Sequence, residues 1–249
     1  MKISITLLTL LSTLSFATEC PQFYPQGLPT QESDLLLCKE KYMLAYSYET
    51  KTPLYTLEYL TKASVDQSRS REGLRYKRDY VIPRKYRSAV SDYAYNDYDL
   101  CALTPYMDID NSNKASTQEA FLMSNIAPQN YKLHRHGWTY LEIAIRDLVD
   151  VYKEVYVVTG VAFLNQDVKK IGKHKVSIPT HFYKVVYAPH TEAGEKMWAW
   201  LVPNEDVPYK QMKRFRLPVK EMEKNLGITF FPDMNIALQN RLKTKRLPL

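Results

Sequence analysis

Short segments rich in β-branched and aromatic residues recur along most of this chain, and they constrain its fold more than any other feature. The strand-like segments are residues 42–48, 54–61, 97–104, 155–164, 180–188 and 196–203. Only ETKTP separates the first two, which predicts a β-hairpin. Helical patterns interrupt the strands at irregular intervals instead of alternating with them. The sequence therefore predicts an α+β fold whose central sheet is mostly antiparallel.

Three segments are predicted to be helical. Residues 138–153 repeat leucine, isoleucine and valine at helical spacing, which indicates a helix with one buried face. Residues 218–227 begin at a proline and end at a glycine, as short helices commonly do. TQEAFLMSN (117–125) suggests a third helix that ends near Pro128. The polar, basic stretch 62–93 is predicted to be a long loop.

The N-terminus has the pattern of an export signal. MKISITLLTLLSTLSFATEC has one lysine, an apolar run of about a dozen residues and a small-x-small site at Ser15-Phe16-Ala17. This predicts a signal peptide over residues 1–17, with a retained anchor as the alternative. The run is too short to span a bilayer comfortably. We therefore expect a secreted or periplasmic protein with no membrane span after cleavage.

The rest of the chain is long enough for one sizeable domain. It has 249 residues, of which 45% are hydrophobic. We divide it into a lead-in (18–37), a domain (38–235) and a basic C-terminal tail (236–249). The net charge of +7 favours acidic partners such as nucleic acid, an anionic membrane or an acidic substrate.

The meaning of the three cysteines depends on export. Cys20 and Cys38 flank a proline-containing stretch, and a disulfide between them would contribute roughly 3 kcal/mol through loop-closure entropy. Cys101 would then be unpaired. A free nucleophile is conceivable there, but a small buried thiol is the more common role.

Three motifs lie between residues 99 and 142. They read DLCA (99–102), SNIAPQ (124–129) and LHRHGWTYLE (133–142). Together they resemble the DNA/RNA non-specific endonuclease family, whose signatures are Asp-Arg-Gly-His, then Ser-Asn-Ile-x-Pro-Gln, then Leu-Asn-x-x-x-Trp-x-x-Leu-Glu. Strand and helix blocks outside the site follow the family's order, and the resemblance covers roughly residues 38–232.

The resemblance implies a fold, a cofactor and a substrate. The fold is the ββα-metal (His-Me finger) nuclease fold, with a central mostly antiparallel sheet flanked by helices. The cofactor is one divalent cation, Mg²⁺ or Mn²⁺, and the partners are DNA and RNA, with a homodimer left open. In this family a histidine acts as general base toward water, and the metal stabilises charge on the phosphate and the leaving oxygen.

The family's residues carry over to this chain with gaps. Asp99 occupies the position of the signature aspartate, but Leu100 and Cys101 replace arginine and glycine. Ala102 replaces the histidine base, and alanine can neither accept a proton nor position water. Asn125 aligns with the signature asparagine, which could touch phosphate or only organise a turn.

The helix motif supplies the expected metal site. His134 occupies the position of the metal-binding asparagine, and Glu142 matches the glutamate that orders metal-bound waters. Imidazole is a softer ligand than an amide oxygen and shifts the preference toward Mn²⁺ or Zn²⁺. Arg146 is either the helix salt-bridge partner of Glu142 or a phosphate-neutralising group. His136 is the extra residue, with a second-shell or substitute-base role to consider.

The remaining assignments concern substrate contacts. Arg71, Arg75 and Gln129 are the expected substrate-binding residues, although the register of the two arginines is uncertain by several positions. The expected catalytic set is Asp99, Asn125, Glu142, Arg146 and His136. Three other histidines lack a partner pattern and are interpreted as structural: His174, His181 and His190.

Two explanations of Ala102 stay open from the sequence. Either the natural protein has lost its base, or alanine was introduced to stop cleavage while keeping substrate binding. Three functions follow: an exported metal-dependent endonuclease with impaired activity, a catalytically inactive relative that binds nucleic acid, or a secreted interaction protein that keeps the fold.

Overall fold

The computed structural model describes residues 20–66, 70–109, 114–189 and 194–248. The predicted signal peptide lies outside these ranges. The strands are β1 (Leu35–Cys38), β2 (Tyr42–Ser47), β3 (Thr52–Thr61), β4 (Tyr98–Ala102), β5 (Ile126–Asn130), β6 (Glu154–Ala162), β7 (Lys170–Ile171), β8 (Val176–Ser177), β9 (His181–Ala188) and β10 (Lys196–Pro203). The helices are α1 (Lys62–Val65), α2 (Lys114–Glu119), α3 (Tyr131–Leu133), α4 (Thr139–Tyr152), α5 (Val219–Leu226) and α6 (Ile236–Lys243).

A six-stranded sheet forms the centre of the molecule. Its order is β1-β2-β3-β6-β9-β10, and every neighbouring pair is antiparallel. The strands β4 and β5 form a separate antiparallel ribbon, and β7 and β8 form another. The α+β prediction and the antiparallel sheet are therefore confirmed.

Both faces of the large sheet are covered. Helix α4 packs its apolar side on one face, where Leu141, Ile145 and Val149 are buried against β6 and β9. On the other face, Val219 and Met222 of α5 join Phe230 and residues from β2 and β3. The result is a three-layer arrangement, because a sheet buried on both faces needs an apolar cover on each.

The N- and C-terminal segments are more ordered than the sequence predicts. The lead-in contains β1, an outer strand of the main sheet, and the basic tail contains α6. Lys243 of that helix is buried and donates to Glu223 at 2.6 Å, and Trp198 Nε1 donates to the carbonyl of Pro248 at 2.7 Å. Both segments therefore pack against the rest of the protein, and the division at residues 38 and 235 stays a prediction.

The other local predictions have mixed outcomes. The hairpin is present as β2–β3, and the helices predicted at 138–153 and 218–227 are present as α4 and α5. The helix predicted over 117–125 is wrong after Glu119, where α2 ends and a 3-10 turn then leads into β5. Short helical segments also interrupt the predicted loop 62–93.

The predicted disulfide is absent. No disulfide joins Cys20, Cys38 or Cys101, all of which lie in the described ranges. Burial and a hydrogen bond with the neighbouring Cys38 thiol raise the pKa of Cys20 to about 12. A thiol held protonated in this way is a poor nucleophile, because the thiolate is the reactive form. Cys101 is buried, as predicted.

A π-helical turn, His134–Trp138, joins α3 to α4. Gly137 lies inside this turn, where a Cβ atom would lie 2.3 Å from the carbonyl oxygen of Val207 and 2.9 Å from Met212 Sδ. Only glycine lets the turn approach the 209–215 segment this closely. The position of the turn sets where α4 begins.

We predict that Gly137→Ala destabilises the protein by about 1–3 kcal/mol, the usual cost of overpacking a tight contact. His136→Ala is the matched control, because His136 is the exposed neighbour in the same turn and should change stability by no more than about 0.5 kcal/mol. Urea unfolding of the three proteins measures both values. Equal stability of Gly137→Ala and the wild type would show that the contact relaxes freely.

Candidate active site

The ribbon β4–β5 and helix α4 form the ββα unit that the sequence predicts. Asp99 of β4 pairs with Gln129 of β5, and Ala102 pairs with Ile126. The side chain of Asn130 then caps α3 by accepting from two backbone N–H groups. The chain continues through the π-helical turn into α4, so the ribbon and the helix lie side by side.

A cleft of about 250 Å³ lies between the ribbon and the helix. The lining residues that bear on chemistry are Arg71, Ala102, Tyr106, His134, Glu142 and Arg146. The structure therefore brings the predicted base position, the two predicted metal ligands and two predicted phosphate-neutralising arginines to one place.

Asp99 is bound by two side chains from the π-helical turn. Its Oδ2 lies 3.0 Å from His134 Nδ1, and Arg135 donates to both carboxylate oxygens at 2.8 and 2.9 Å. Partial burial would raise the pKa of Asp99, but the hydrogen bonds from Arg135 and His134 outweigh it and hold the pKa below its ordinary value. Asp99 thus carries a negative charge that orients the His134 ring.

His134 has one ring nitrogen left for other partners. When Nδ1 carries the proton and donates to Asp99, the lone pair is on Nε2. A carboxylate that holds one nitrogen of an imidazole is the usual support for a metal-ligating histidine. The position of His134 in the cleft is compatible with the predicted ligand role.

No side chain in the ribbon takes the place of the missing base. Leu100 and Ala102 both line the cleft, and neither can accept a proton. Cys101 points into the core, and burial raises the pKa of its thiol well above the ordinary value. His136 is exposed on the π-helical turn and is not a lining residue of the cleft. It is therefore not placed to act as the substitute base.

Two of the predicted site residues are fully buried. Asn125 accepts from the backbone N–H of Thr104 at 3.0 Å and donates to the carbonyls of Thr104 and Ala120 at 2.9 and 3.0 Å. Gln129 of β5 is buried and has no exposed surface. Asn125 organises the loop after β4, and Gln129 has no exposed atom for direct substrate binding.

Glu142 lies above a buried layer of charge. Burial raises the pKa of Glu142 to about 7, and Asp108 adds to the shift while Lys184 and Arg146 oppose it. Beneath it, Lys184 is buried and donates to Thr159 at 2.7 Å. Burial and the charge of Asp108 also raise the pKa of Glu58 well above the ordinary value. Glu142 and Glu58 therefore stay protonated to a higher pH than ordinary glutamates.

Arg146 is held by an acidic partner that the sequence analysis did not identify. Its Nη1 donates to Asp108 Oδ1 at 2.6 Å, and both side chains are largely buried. The predicted salt bridge between Arg146 and Glu142 is not the contact that forms. Arg146 still lines the cleft, with its charge partly compensated.

The upstream arginines differ in position. Arg71 is exposed and lines the cleft, with its guanidinium 5.5 Å from the ring centre of Tyr106 and 5.2 Å from that of Phe121. Arg75 is exposed and is held only through its backbone by Gln118. Arg71 is therefore the arginine that is placed to contact a ligand in the cleft, and Arg75 is not a lining residue.

The histidines interpreted as structural have local partners where the structure describes them. His174 Nδ1 lies 2.9 Å from Asp92 Oδ2, and His181 Nδ1 lies 3.0 Å from Thr180 Oγ1. His190 lies outside the described residues. Neither described histidine lines the cleft.

The donors in the cleft fit a weakly held, mostly hydrated cation. His134 and Glu142 are the ligand side chains that line it, and no cluster of three or more histidine, cysteine or acidic residues suited to a metal exists within the described ranges. Mg²⁺ commonly keeps several waters and takes only one or two protein ligands. Two protein ligands are therefore enough for a cation that keeps most of its water ligands.

Two of the four charged residues that the sequence analysis missed could have been identified from the sequence. Glu58 and Lys184 each interrupt an otherwise apolar strand, which is unusual unless the charge has a buried partner. Arg135 lies between the two histidines of the quoted motif, and Asp108 follows β4 by a few residues. Arg135 pairs with Asp99 and Asp108 pairs with Arg146, both far away along the chain, so the sequence around Arg135 and Asp108 gives no such signal.

We predict that the free energy of unfolding of the wild type falls relative to Glu142→Gln as the pH rises from about 4.5 to about 7. The unfolded glutamate has lost its proton across this range while the folded one retains it, so the folded state binds more protons and loses stability. Urea unfolding in a chelator at several pH values tests this. Asp147→Asn, on an exposed position of the same helix, is the control and should follow the wild type. A parallel pH dependence of Glu142→Gln and the wild type would contradict the raised pKa.

None of the helices in the described ranges combines the length and apolar character that a bilayer crossing requires.

Comparison with known proteins gives one consistent result. The family model for DNA/RNA non-specific endonucleases matches residues 20–236. Nuclease C1 of Cunninghamella echinulata var. echinulata is 30% identical over 211 residues, which span 80% of this chain and 83% of the relative.

More distant relatives and a solved structure agree. Human mitochondrial endonuclease G is 29% identical over 209 residues, covering 80% of this chain and 70% of that protein. Human mitochondrial nuclease EXOG is 28% identical over 211 residues, and the match spans 57% of its length. A chain in the crystal structure of the EndoG/EndoGI complex superimposes with a TM-score of 0.82 and 27% identity, covering 92% of this chain and 97% of that one. This chain therefore belongs to the DNA/RNA non-specific endonuclease family and has the ββα unit of that nuclease fold.

Proposed function

We propose that this protein is an exported nuclease-family protein that binds DNA and RNA in the cleft and hydrolyses their phosphodiester bonds slowly. One observation carries the proposal: Ala102 lines a cleft that otherwise keeps Arg71, His134 and Glu142 together. The substrate pocket persists and the proton acceptor is missing. Export is supported by the signal-like pattern of residues 1–17 and by nothing else in the chain.

The reduced rate follows from what Ala102 cannot do. A positioned general base contributes typically 10²–10⁴-fold to a rate of this kind. The thiol of Cys101 is buried and protonated, and His136 is outside the cleft, so neither replaces the histidine. Arg71 and Arg146 remain to bind and orient a phosphate group, but neither of them accepts a proton.

A divalent cation would be held by His134 Nε2 and by Glu142 after Glu142 loses its proton. Such an ion supplies charge neutralisation at the phosphate. Asp99 supports this role by fixing the His134 ring through Nδ1. The cation and the two arginines together would offset the negative charge of a bound strand.

A catalytically inactive protein that binds nucleic acid is the second candidate. The bidentate pairing of Arg135 with Asp99 favours it, because the aspartate that orients the site in the family here neutralises a cation of the helix. A secreted interaction protein that keeps the fold is the third, and it predicts no salt-sensitive nucleic-acid binding.

We predict that Ala102→His raises the rate of plasmid nicking in Mg²⁺ or Mn²⁺ by about 10²-fold or more, because it restores a proton acceptor at the end of β4. Ala102→Asn is the matched control, since it adds a polar side chain without a base. If Ala102→His folds, binds the metal and is no faster than Ala102→Asn, the replacement of arginine by Leu100 has also disabled the site.

We predict that His134→Asn moves the metal preference from Mn²⁺ toward Mg²⁺, because an amide oxygen is the harder ligand. Metal affinity of the wild type should also weaken at acidic pH, because a ligating imidazole must be neutral, and His134→Asn should reduce that dependence to the part that comes from Glu142.

Calorimetric titration with each ion at two pH values measures both effects. His136→Asn is the control, since the exposed imidazole of His136 should not affect metal binding. Glu142→Ala should weaken both ions. Unchanged metal binding in both His134→Asn and Glu142→Ala would remove this cleft as the metal site.

A further inference from the structure

A second concavity lies beside the cleft, on another side of helix α4. Thr139 and Glu142 line the cleft, whereas Tyr140 and Leu141, between them in sequence, line this groove. The groove has a volume of about 450 Å³. The first turn of α4 is therefore shared by the two concavities.

The groove has an apolar floor and an aromatic rim. Leu141, Trp200 and Met212 form the floor and are buried. At the rim, Tyr140 is 49% exposed and Tyr209 is 48% exposed, with their ring centroids 5.2 Å apart. Two large rings left half in solvent at the mouth of a pocket offer flat surfaces for stacking.

The rest of the lining is basic. Lys210, Lys213 and Arg216 contribute positive charge, and no acidic residue is among the lining residues. Among the described parts of the chain, none of these three cations takes part in an ion pair within 4.0 Å. Burial and the neighbouring charge of Arg246 lower the pKa of Arg216, which reflects a concentration of like charge. The groove is therefore complementary to a polyanion.

We propose that this groove is a binding site for single-stranded nucleic acid, with bases stacked on Tyr140 and Tyr209 and phosphates on Lys210 and Lys213. The proposal rests on the proposed function, since it extends the path of a strand bound in the cleft across the first turn of α4. Basic side chains combined with exposed aromatic rings are the chemistry of sequence-independent single-strand binding.

The aromatic rim decides between a single strand and other polyanions. Bases in a duplex are stacked on each other and do not reach side-chain rings, whereas bases in a single strand do. An acidic polypeptide would satisfy the lysines and leave the two tyrosines without a function. The groove therefore favours unpaired DNA or RNA over a duplex and over an acidic peptide.

The charge of the groove is tested by fluorescence anisotropy of the full chain with a labelled oligothymidylate, in chelator, over a range of salt concentrations. Each phosphate contact to a single strand contributes about 0.7 to the slope of log affinity against log salt. The double variant Lys210→Gln/Lys213→Gln should lower the slope by about 1.4. Lys169→Gln/Lys170→Gln, which removes the same charge from a different cavity, is the control and should bind like the wild type.

The stacking role of the rim is tested separately. Tyr209→Ala should weaken binding of the oligothymidylate by about fivefold or more, since stacking of one base on one ring contributes at least that much. Tyr209→Phe keeps the ring and should bind like the wild type. Lys210, Lys213 and Tyr209 all lie at the surface, so we expect each variant to fold, and thermal unfolding checks this.

The outcomes separate this proposal from the one it rests on. If the wild type binds neither single strands nor duplex, the proposed function fails and the groove proposal fails with it. If the wild type binds and Lys210→Gln/Lys213→Gln binds as tightly as Lys169→Gln/Lys170→Gln, only the groove proposal is overturned. Displacement of the oligothymidylate by polyglutamate of equal length at equal concentration would also overturn it, because the site would then recognise charge alone.

Discussion

The contact between helix α4 and the central sheet is the constraint on which the site depends. Trp138, at the end of the π-helical turn, is fully buried and packs against Phe182 of β9 with ring centroids 5.5 Å apart. Leu141 and Ile145 continue this buried side of the helix. Burying each such side chain contributes about 1.5–3 kcal/mol, so a rotation of the helix by one residue would expose several of them to water. Glu142 is therefore positioned by the packing of its neighbours on the helix.

The sequence predicts this helix well because its signal is local. Apolar residues at helical spacing identify α4, and strand patterns identify the hairpin β2–β3 and the strands β6, β9 and β10. The segment 117–125 fails for the opposite reason. Helix α2 ends at Glu119, because Phe121 and Met123 make backbone hydrogen bonds with Lys77, which lies far earlier in the chain. A pairing over that distance overrides local propensity and leaves no local pattern.

In the site, too, the sequence predicts where residues lie better than which partners they bind. The family signatures identify His134 and Glu142, which both line the cleft, but they do not reveal what each side chain binds. Arg146 pairs with Asp108, and Gln129 of β5 is fully buried. Salt-bridge partners and strand orientation depend on the folded arrangement, so the motif alone gives candidate residues without their roles.

The replacements around Asp99 have a coordinated physical effect. In the family signature an arginine follows the aspartate and an asparagine stands on the helix; here these positions are Leu100 and His134. The aspartate nevertheless keeps two cationic or hydrogen-bonding partners, because Arg135 and His134 from the π-helical turn bind it. The carboxylate therefore stays charged without the signature arginine, and it ties β4 to the helix.

The contact of Asp99 with the π-helical turn holds the site together without the side chain at position 102. Asp99 holds the ribbon to the π-helical turn, the buried amide of Asn125 fixes the loop after β4, and neither contact involves position 102. Ala102 can thus replace a histidine without loosening either wall of the cleft. The proposed loss of the base would therefore leave the geometry of the surrounding groups unchanged, and the cleft would still be able to bind a ligand.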